Sequence, residues 1–201
     1  MRIAIFANAE QKEEWLLKGY NPNVEIIWND INAQADAYFD LLFERNGASF
    51  KNILNKPIFV NAVITTCQQL PENYIRLNAW NGFLNRSIIE IASIKNEETI
   101  QQIMNNLGWL YQLTADEPGF IAARIIAMII NEAYFALQDN VSTKEEIDTA
   151  MKLGTNYPYG PFEWCNKIGL PNIYLLLKTL SQTDSRYQPS EKLIEELKSI
   201  A

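Results

Sequence analysis

The 201-residue sequence predicts an α/β domain with a mostly parallel sheet over residues 1–115, followed by an all-α domain over residues 116–201. Three observations carry this expectation. Up to about Ala115, short β-branched or aromatic runs bounded by Pro, Asn or Gly alternate with polar or helical stretches, the rhythm of an open sheet with crossover helices. Beyond Asp116 the hydrophobic pattern turns helical, with Pro and Gly punctuating successive segments. No repeat or low-complexity linker interrupts the chain, and a chain of this length can bury about 70% of its unfolded surface.

The opening "MRIAIFANAEQKEEW" sets an apolar strand, Ile3 to Phe6, directly before polar residues with helical spacing. A nucleotide-binding α/β domain begins this way, yet no glycine follows the strand. "VEIIW" (24–28), "ADAYFDLLF" (35–43), "KPIFVNAVI" (56–64), "YIRLNAW" (74–80) and "RSIIEIAS" (86–93) read as further strands. "NEETIQQIMNNLGWL" (96–110) reads as an amphipathic helix with Ile100, Ile103, Met104 and Leu107 on one face and Asn96 as N-cap. Pro118 suits the first turn of a long helix from Phe120 to Leu137 that is apolar nearly all round, which calls for burial inside its own domain or at a subunit interface. In "STKEEIDTAMKLG", Ser142 or Thr143 can cap, Glu145 and Glu146 favour the positive end, and Gly154 marks the stop. "NYPYGPFEW" is a turn into a third helix, "PNIYLLLKTL" supplies a fourth, and "SEKLIEELKSI" an amphipathic tail.

With 48% hydrophobic and 20% charged residues the composition is that of a globular protein. The net charge of -7 argues against a nucleic-acid partner, because phosphate-backbone binding runs on clustered Lys and Arg. Cys67 and Cys165 lie far apart without a CxxC pair, so buried free thiols are expected and no metal site. The most apolar stretch, "FIAARIIAMII", is interrupted by Arg124 and too short to span a bilayer, and the amino terminus lacks signal-peptide features. The expected location is the cytoplasm. Trp80, Trp109 and Trp164 are expected in the core.

The run "DEPGFIAARIIAMIINEAYFALQDNVSTKEEIDTAMKLGTNYPYGPFEWCNKIGL", with "SRYQPSEKLIEEL" after it, resembles the carboxyl-terminal domain of the L-3-hydroxyacyl-coenzyme A dehydrogenases. The shared positions, in order, are Asp116, Pro118, Gly119 and Phe120; Asn131, Glu132 and Ala133; Asp148, Ala150 and Met151; Gly160, Pro161, Phe162 and Glu163; and Arg186-Tyr187. Fainter likeness runs through the first half, where "ADAYFDLLFE" and "PENYIRLNAWNGFLNRSIIEI" look like family strands. The resemblance implies a Rossmann-like first domain, trimmed between Trp28 and Ala35, and a helical domain of the 6-phosphogluconate dehydrogenase C-terminal-like type. It also implies fatty-acid metabolism, NAD as cofactor and a homodimer formed through the helical domain.

In the family a histidine takes the hydroxyl proton as hydride leaves, and a glutamate orients the imidazole. On this chain the histidine position is Asn78 and the glutamate is Glu90, with the family's spacing preserved, and the sequence contains no histidine at all. Asparagine can hydrogen-bond a substrate oxygen but cannot accept the proton. The family's Asn-Arg pair after Pro-Gly-Phe is Ala123-Arg124 here. Asn81 matches an Asn that ends the family's aromatic stretch, as polar support or in a structural role, and the family's Ser and Thr turn falls in "NAVITTCQQL", at Val63 or Thr66. A Gly-x-Gly-x-x-Gly turn needs bare backbone for the bend, for pyrophosphate approach and for helix packing, whereas Ala7, Ala9 and Lys12 stand there. Asp30, near the end of the second strand, is a ribose-binding candidate or a loop cap.

Two functions follow as expectations. One is a dehydrogenase relative that no longer binds NAD or oxidises 3-hydroxyacyl-CoA and serves as a dimeric binding or assembly module. The other is a divergent oxidoreductase, or an enzyme that binds acyl-CoA or another small ligand, with Glu90 as base.

Overall fold

The structure, a computed structural model, describes residues 1–200. The chain divides into two compact units, Met1–Phe120 and Ile121–Ala201. The first is built on seven strands, β1 (Arg2–Phe6), β2 (Glu25–Trp28), β3 (Ala37–Asp40), β4 (Ile58–Asn61), β5 (Tyr74–Leu77), β6 (Ile88–Ala92) and β7 (Leu110–Leu113), with helices α1 (Ala9–Lys18), α2 (Phe43–Asn46) and α3 (Glu97–Leu107). The sheet order is β2-β1-β3-β4-β5-β6-β7, and every neighbouring pair is parallel except β5 with β6. This is the mostly parallel Rossmann-like arrangement, with no helix between β2 and β3.

Strands covered on both faces read as continuous apolar runs, and Ile3, Ala4 and Ile5 are all fully buried. One face of the sheet packs Phe39, Phe59 and Ile91 against Trp15 of α1 and Ile100, Met104 and Leu107 of α3. Trp15 anchors this layer, with ring centroids 4.9 Å from Phe39 and 4.3 Å from Trp109. The other face packs Tyr38, Ile58, Val60 and Tyr74 against Phe50 and irregular chain. Trp80, Trp109 and Trp164 are buried, as are both free cysteines.

Several local expectations differ in detail. The run 35–43 is a strand only over Ala37–Asp40; the Asp40 carboxylate accepts the Ser49 amide at 2.6 Å, and Phe43–Asn46 closes a helical turn. The helix predicted to Leu110 ends at Leu107 because Gly108 adopts the left-handed conformation (φ 73°), which frees Leu110–Leu113 to form the edge strand β7. Asn96 precedes α3 but does not cap it with its side chain, whose Nδ2 donates instead to the Glu72 carbonyl at 3.0 Å. Pro118 lies in a turn ahead of the long helix, followed by Gly119 at φ 87° and Phe120 at φ 48°.

Residues 116–120 pack with the first unit because Arg76, fully buried on β5, holds them. Its Nε donates to the Ala62 carbonyl at 2.9 Å, and its guanidinium nitrogens donate to the Val63 and Glu117 carbonyls and to the Asp116 carboxylate. Asp116 also accepts the Cys67 amide, and the Gly119 amide donates to the Val63 carbonyl at 2.7 Å.

The second unit is all helical: α4 (Ala122–Gln138), α5 (Lys144–Thr155), α6 (Pro161–Ile168), α7 (Leu170–Ser181) and α8 (Glu191–Ile200). Helix α4 is its centre, packing on the other four while leaving Ile121 and Ile125 about half exposed at its start. Thr143 caps α5 through a reciprocal pair with Glu146, and the helix runs through Gly154 to a left-handed Asn156. The matched motif residues have structural work. The Asp148 carboxylate accepts the Phe162 amide at 2.8 Å and the Glu163 amide at 3.2 Å, capping α6 from the neighbouring helix. Gly160 has no alternative there, since a Cβ would lie 2.3 Å from Asp148 Oδ1. Asn131, fully buried on α4, donates to the Gln188 carbonyl and accepts the Ser190 amide, both at 2.9 Å, pinning the entry to α8.

Candidate functional site

In an open α/β sheet, ligands bind outside the carboxyl ends of the strands, at the point where connections depart in opposite directions. Here that point lies between β1 and β3, with the first turn of α1 over it. The first unit gathers most of the sequence candidates along this carboxyl edge.

Asn78 follows β5 and is 1% exposed. Its backbone amide donates to the Glu90 carbonyl at 3.1 Å across the antiparallel β5–β6 pair, and its Nδ2 donates to Glu90 Oε2 at 3.0 Å. The two side chains are therefore hydrogen-bonded, with an amide where the family resemblance places an imidazole. Asn78 Oδ1 is buried and has no hydrogen-bond partner among the described residues. Such a pair can offer an acceptor to a ligand's donor, but its amide has no pKa in the range that proton transfer at neutral pH requires.

Beside it, Asn61 at the end of β4 accepts the Ala79 amide at 3.1 Å and donates to the Leu41 carbonyl at 3.2 Å. Gln11, buried on α1, donates from Nε2 to the same Leu41 carbonyl at 2.6 Å and to the Ala79 carbonyl at 3.3 Å. The ends of β3, β4 and β5 are thus joined to α1 by a ring of carboxamides. Asn81 Nδ2 donates to Glu10 Oε2 at 2.6 Å, tying the turn after β5 to the first turn of α1.

Of the positions where the family resemblance expects glycine, Ala7 is buried, Ala9 is exposed and Lys12 lies over the Trp28 ring, 5.1 Å from its centroid. The Ala7 amide donates to Asn29 Oδ1 at 2.9 Å, the Asn8 amide to Gln11 Oε1 at 3.2 Å, and the Gln11 amide to Asn8 Oδ1 at 2.8 Å. Asp30 stands apart from this network and accepts the Asn32 amide at 2.9 Å, which is the loop-capping arrangement.

The loop expected to carry the Ser and Thr turn is held by Glu44. Its carboxylate accepts the Ile64 amide and, at 3.0 Å, the Thr65 amide. Burial pushes this carboxyl above the usual range, and the amide donors only partly offset that. Val63 is fully buried, and Thr66 caps the short turn Cys67–Gln69 with its backbone amide donating to Gln69 Oε1 at 3.0 Å. Cys67 is pushed up to about 11 by burial and by the adjacent Asp116, so it is a thiol at neutral pH. In the second unit, Ala123 is fully buried and Arg124 lies over the Tyr187 ring.

The sequence reading did not single out Gln11, Asn29, Asn61 or Glu44. The first had a legible signal, the Asn8-x-x-Gln11 capping box. The others had none, since each acts on backbone distant in sequence. A cleft of about 220 Å³ lined by Cys67, Pro71, Tyr74, Ser93 and Lys95 contains neither Asn78 nor Glu90. Among the described residues no group of three or more His, Cys, Asp or Glu is placed to hold a metal, and no helix is long and apolar enough to cross a membrane.

A family profile described as "3-hydroxyacyl-CoA dehydrogenase, C-terminal domain" matches residues 119–199. Over 81 residues the chain is 48% identical to the 3-hydroxyadipyl-CoA dehydrogenase of Escherichia coli (strain K12), covering 39% of this chain and 17% of that protein. It is 33% identical over 132 residues to a 3-hydroxybutyryl-CoA dehydrogenase of Bradyrhizobium diazoefficiens, covering 62% of this chain and 45% of that protein. The chain therefore spans less than half the length of these two relatives. Among solved structures, the (S)-3-hydroxybutyryl-CoA dehydrogenase of Ralstonia eutropha superposes with a TM-score of 0.70 at 16% identity, over 98% of this chain and 93% of that one, a likeness of fold.

Proposed function

We propose that this chain, homologous at family level to the 3-hydroxyacyl-CoA dehydrogenases, has lost NAD-dependent oxidation of 3-hydroxyacyl-CoA and acts as a dimeric binding or assembly module. The observation that carries this reading is the Asn78–Glu90 pair in a chain without histidine. Family-type oxidation needs a group that accepts the hydroxyl proton as hydride departs, and a positioned base is worth about 10²- to 10⁴-fold in rate. Asn78 preserves the contact to Glu90 and supplies no base. Glu90 Oε2 is engaged by Asn78 Nδ2, which favours a structural carboxylate over the alternative of Glu90 as replacement base.

NAD is the cofactor the family implies, and the residues at the first turn of α1 do not fit it. The amides of Ala7, Asn8 and Gln11 already have side-chain acceptors, and Cβ atoms stand where the pyrophosphate needs bare backbone. Pairing of subunits is supported by the exposed apolar start of α4, Ile121 and Ile125.

The test is turnover of acetoacetyl-CoA with NADH alongside binding of each compound to the purified protein. The expected result is no NADH oxidation above background for the native chain, and none for Asn78→His, which restores the base and not the cofactor cradle. NADH oxidation abolished by Glu90→Gln would overturn the reading in favour of the divergent enzyme.

A further inference from the structure

The crevice between β1 and β3 is where an α/β fold would receive a phosphate, because first-turn amides and the positive helix end face it. In this chain three carboxamides from separate positions meet there. Asn29, beyond β2, adopts φ 54°, a left-handed conformation that Asn tolerates better than most side chains. This directs its Oδ1 to the Ala7 amide, 2.9 Å away, while its own amide donates to the Ile5 carbonyl at 2.8 Å. Asn8 and Gln11 exchange a reciprocal pair of bonds across the turn. Gln11 also bonds the carbonyls of Leu41 and Ala79 from its other end, and it is 3% exposed.

We infer that Asn8, Gln11 and Asn29 form an internal stand-in for the anion. Their three carbonyl oxygens, Asn29 Oδ1, Gln11 Oε1 and Asn8 Oδ1, supply the acceptors that phosphate oxygens would supply to the amides of Ala7, Asn8 and Gln11. Gln11 is the keystone, since the carboxamide that satisfies the turn also clamps the carboxyl ends of β3 and β5 over it. The crevice is thus complete without a ligand and closed to inorganic phosphate, ADP and NADH alike. This deepens the cofactor reading above by naming what fills the site.

The inference is tested on the full chain by amide hydrogen exchange read by NMR at Ala7, Asn8 and Gln11. The three amides are expected to be protected without ligand. Asn29→Gly, which keeps the positive φ, should speed exchange at Ala7 at least tenfold and leave Ile5 unchanged. Gln11→Ala should do the same at Asn8. Millimolar phosphate, ADP or NADH should move none of these resonances in the native protein, and Trp28, beside Lys12, should show no saturable quenching by NADH. Exchange at Ala7 and Asn8 as fast in the native chain as in the variants would overturn the stand-in, as would saturable shifts of these amides with any of the three ligands. NADH turnover with the amides still protected and unshifted would instead sink the proposed loss of oxidation and leave the stand-in standing.

Discussion

Replacing Asp116 by alanine removes the charge that faces Arg76, and the structure sets the scale of the loss. Arg76 is fully buried and spends its other donors on the Ala62, Val63 and Glu117 carbonyls, so it cannot turn to water when its partner goes. Breaking a buried pair from one side costs about 3–5 kcal/mol, because it strands an uncompensated charge. The Asp116 side chain is itself 20% exposed, so water can enter part of the vacated space and the lower end, about 3 kcal/mol, applies. In a chain of this size that is a drop of roughly 6–12 °C in melting temperature. Tryptophan fluorescence is the assay, since Trp15, Trp28, Trp80 and Trp109 report on this unit and only Trp164 on the other.

The same pair predicts a pH dependence. Burial pushes the Asp116 carboxyl up, but the Cys67 amide and the Arg76 guanidinium outweigh it and hold the group below the ordinary carboxylate range. A depressed folded value means that the stabilisation is fully present above the unfolded value and fades as pH falls through the folded one. Asp116→Asn should therefore lose stability at neutral pH and show a flatter decline on acidification than the native chain. A loss below about 1 kcal/mol for Asp116→Ala, or an unchanged acid slope for Asp116→Asn, would refute the reasoning.

Further outcomes follow from other sites. Asp148→Ala leaves the amides of Phe162 and Glu163 without their cap and should lower stability by about 2–4 kcal/mol, summing one lost cap and one unsatisfied buried donor; chemical denaturation followed by circular dichroism measures it, and Asp148→Asn, which keeps one acceptor, should lose about half. Gly160→Ala should be at least as damaging as Asp148→Ala, by the same measurement, because the added Cβ meets Asp148 itself. On the proposed dimer, Ile125→Glu at the exposed start of α4 should shift the protein from dimer to monomer in light scattering with no change in helical content.

The sequence was most legible where a signal is local or periodic. Strand runs such as Ile3 to Phe6, the Thr143–Glu146 capping box and the ordered motifs of the helical unit can all be seen in consecutive residues, because short-range sterics and burial periodicity dictate them. Elements failed at their ends, as at Gly108, where one left-handed residue ends the predicted helix at Leu107 and an edge strand starts at Leu110. The absence of an imidazole base needed no structure, since composition alone decides it.

What the amino-acid order determined by itself is therefore chemical: the residue types present, the absence of any imidazole, and two alanines and a lysine where the family resemblance expects glycines. Only the tertiary structure decided how those substitutions are accommodated. The residue order shows Ala7 after the first strand, but not that Asn29, carried back by β2, satisfies its amide. Nothing in the order of residues announces that Gln11 reaches Leu41 and Ala79, or that Arg76 draws Asp116 into the first unit. These contacts join positions far apart in sequence, and their partners are backbone groups that look alike at every residue. Their meaning comes from where folding places them, out of water and within hydrogen-bond reach.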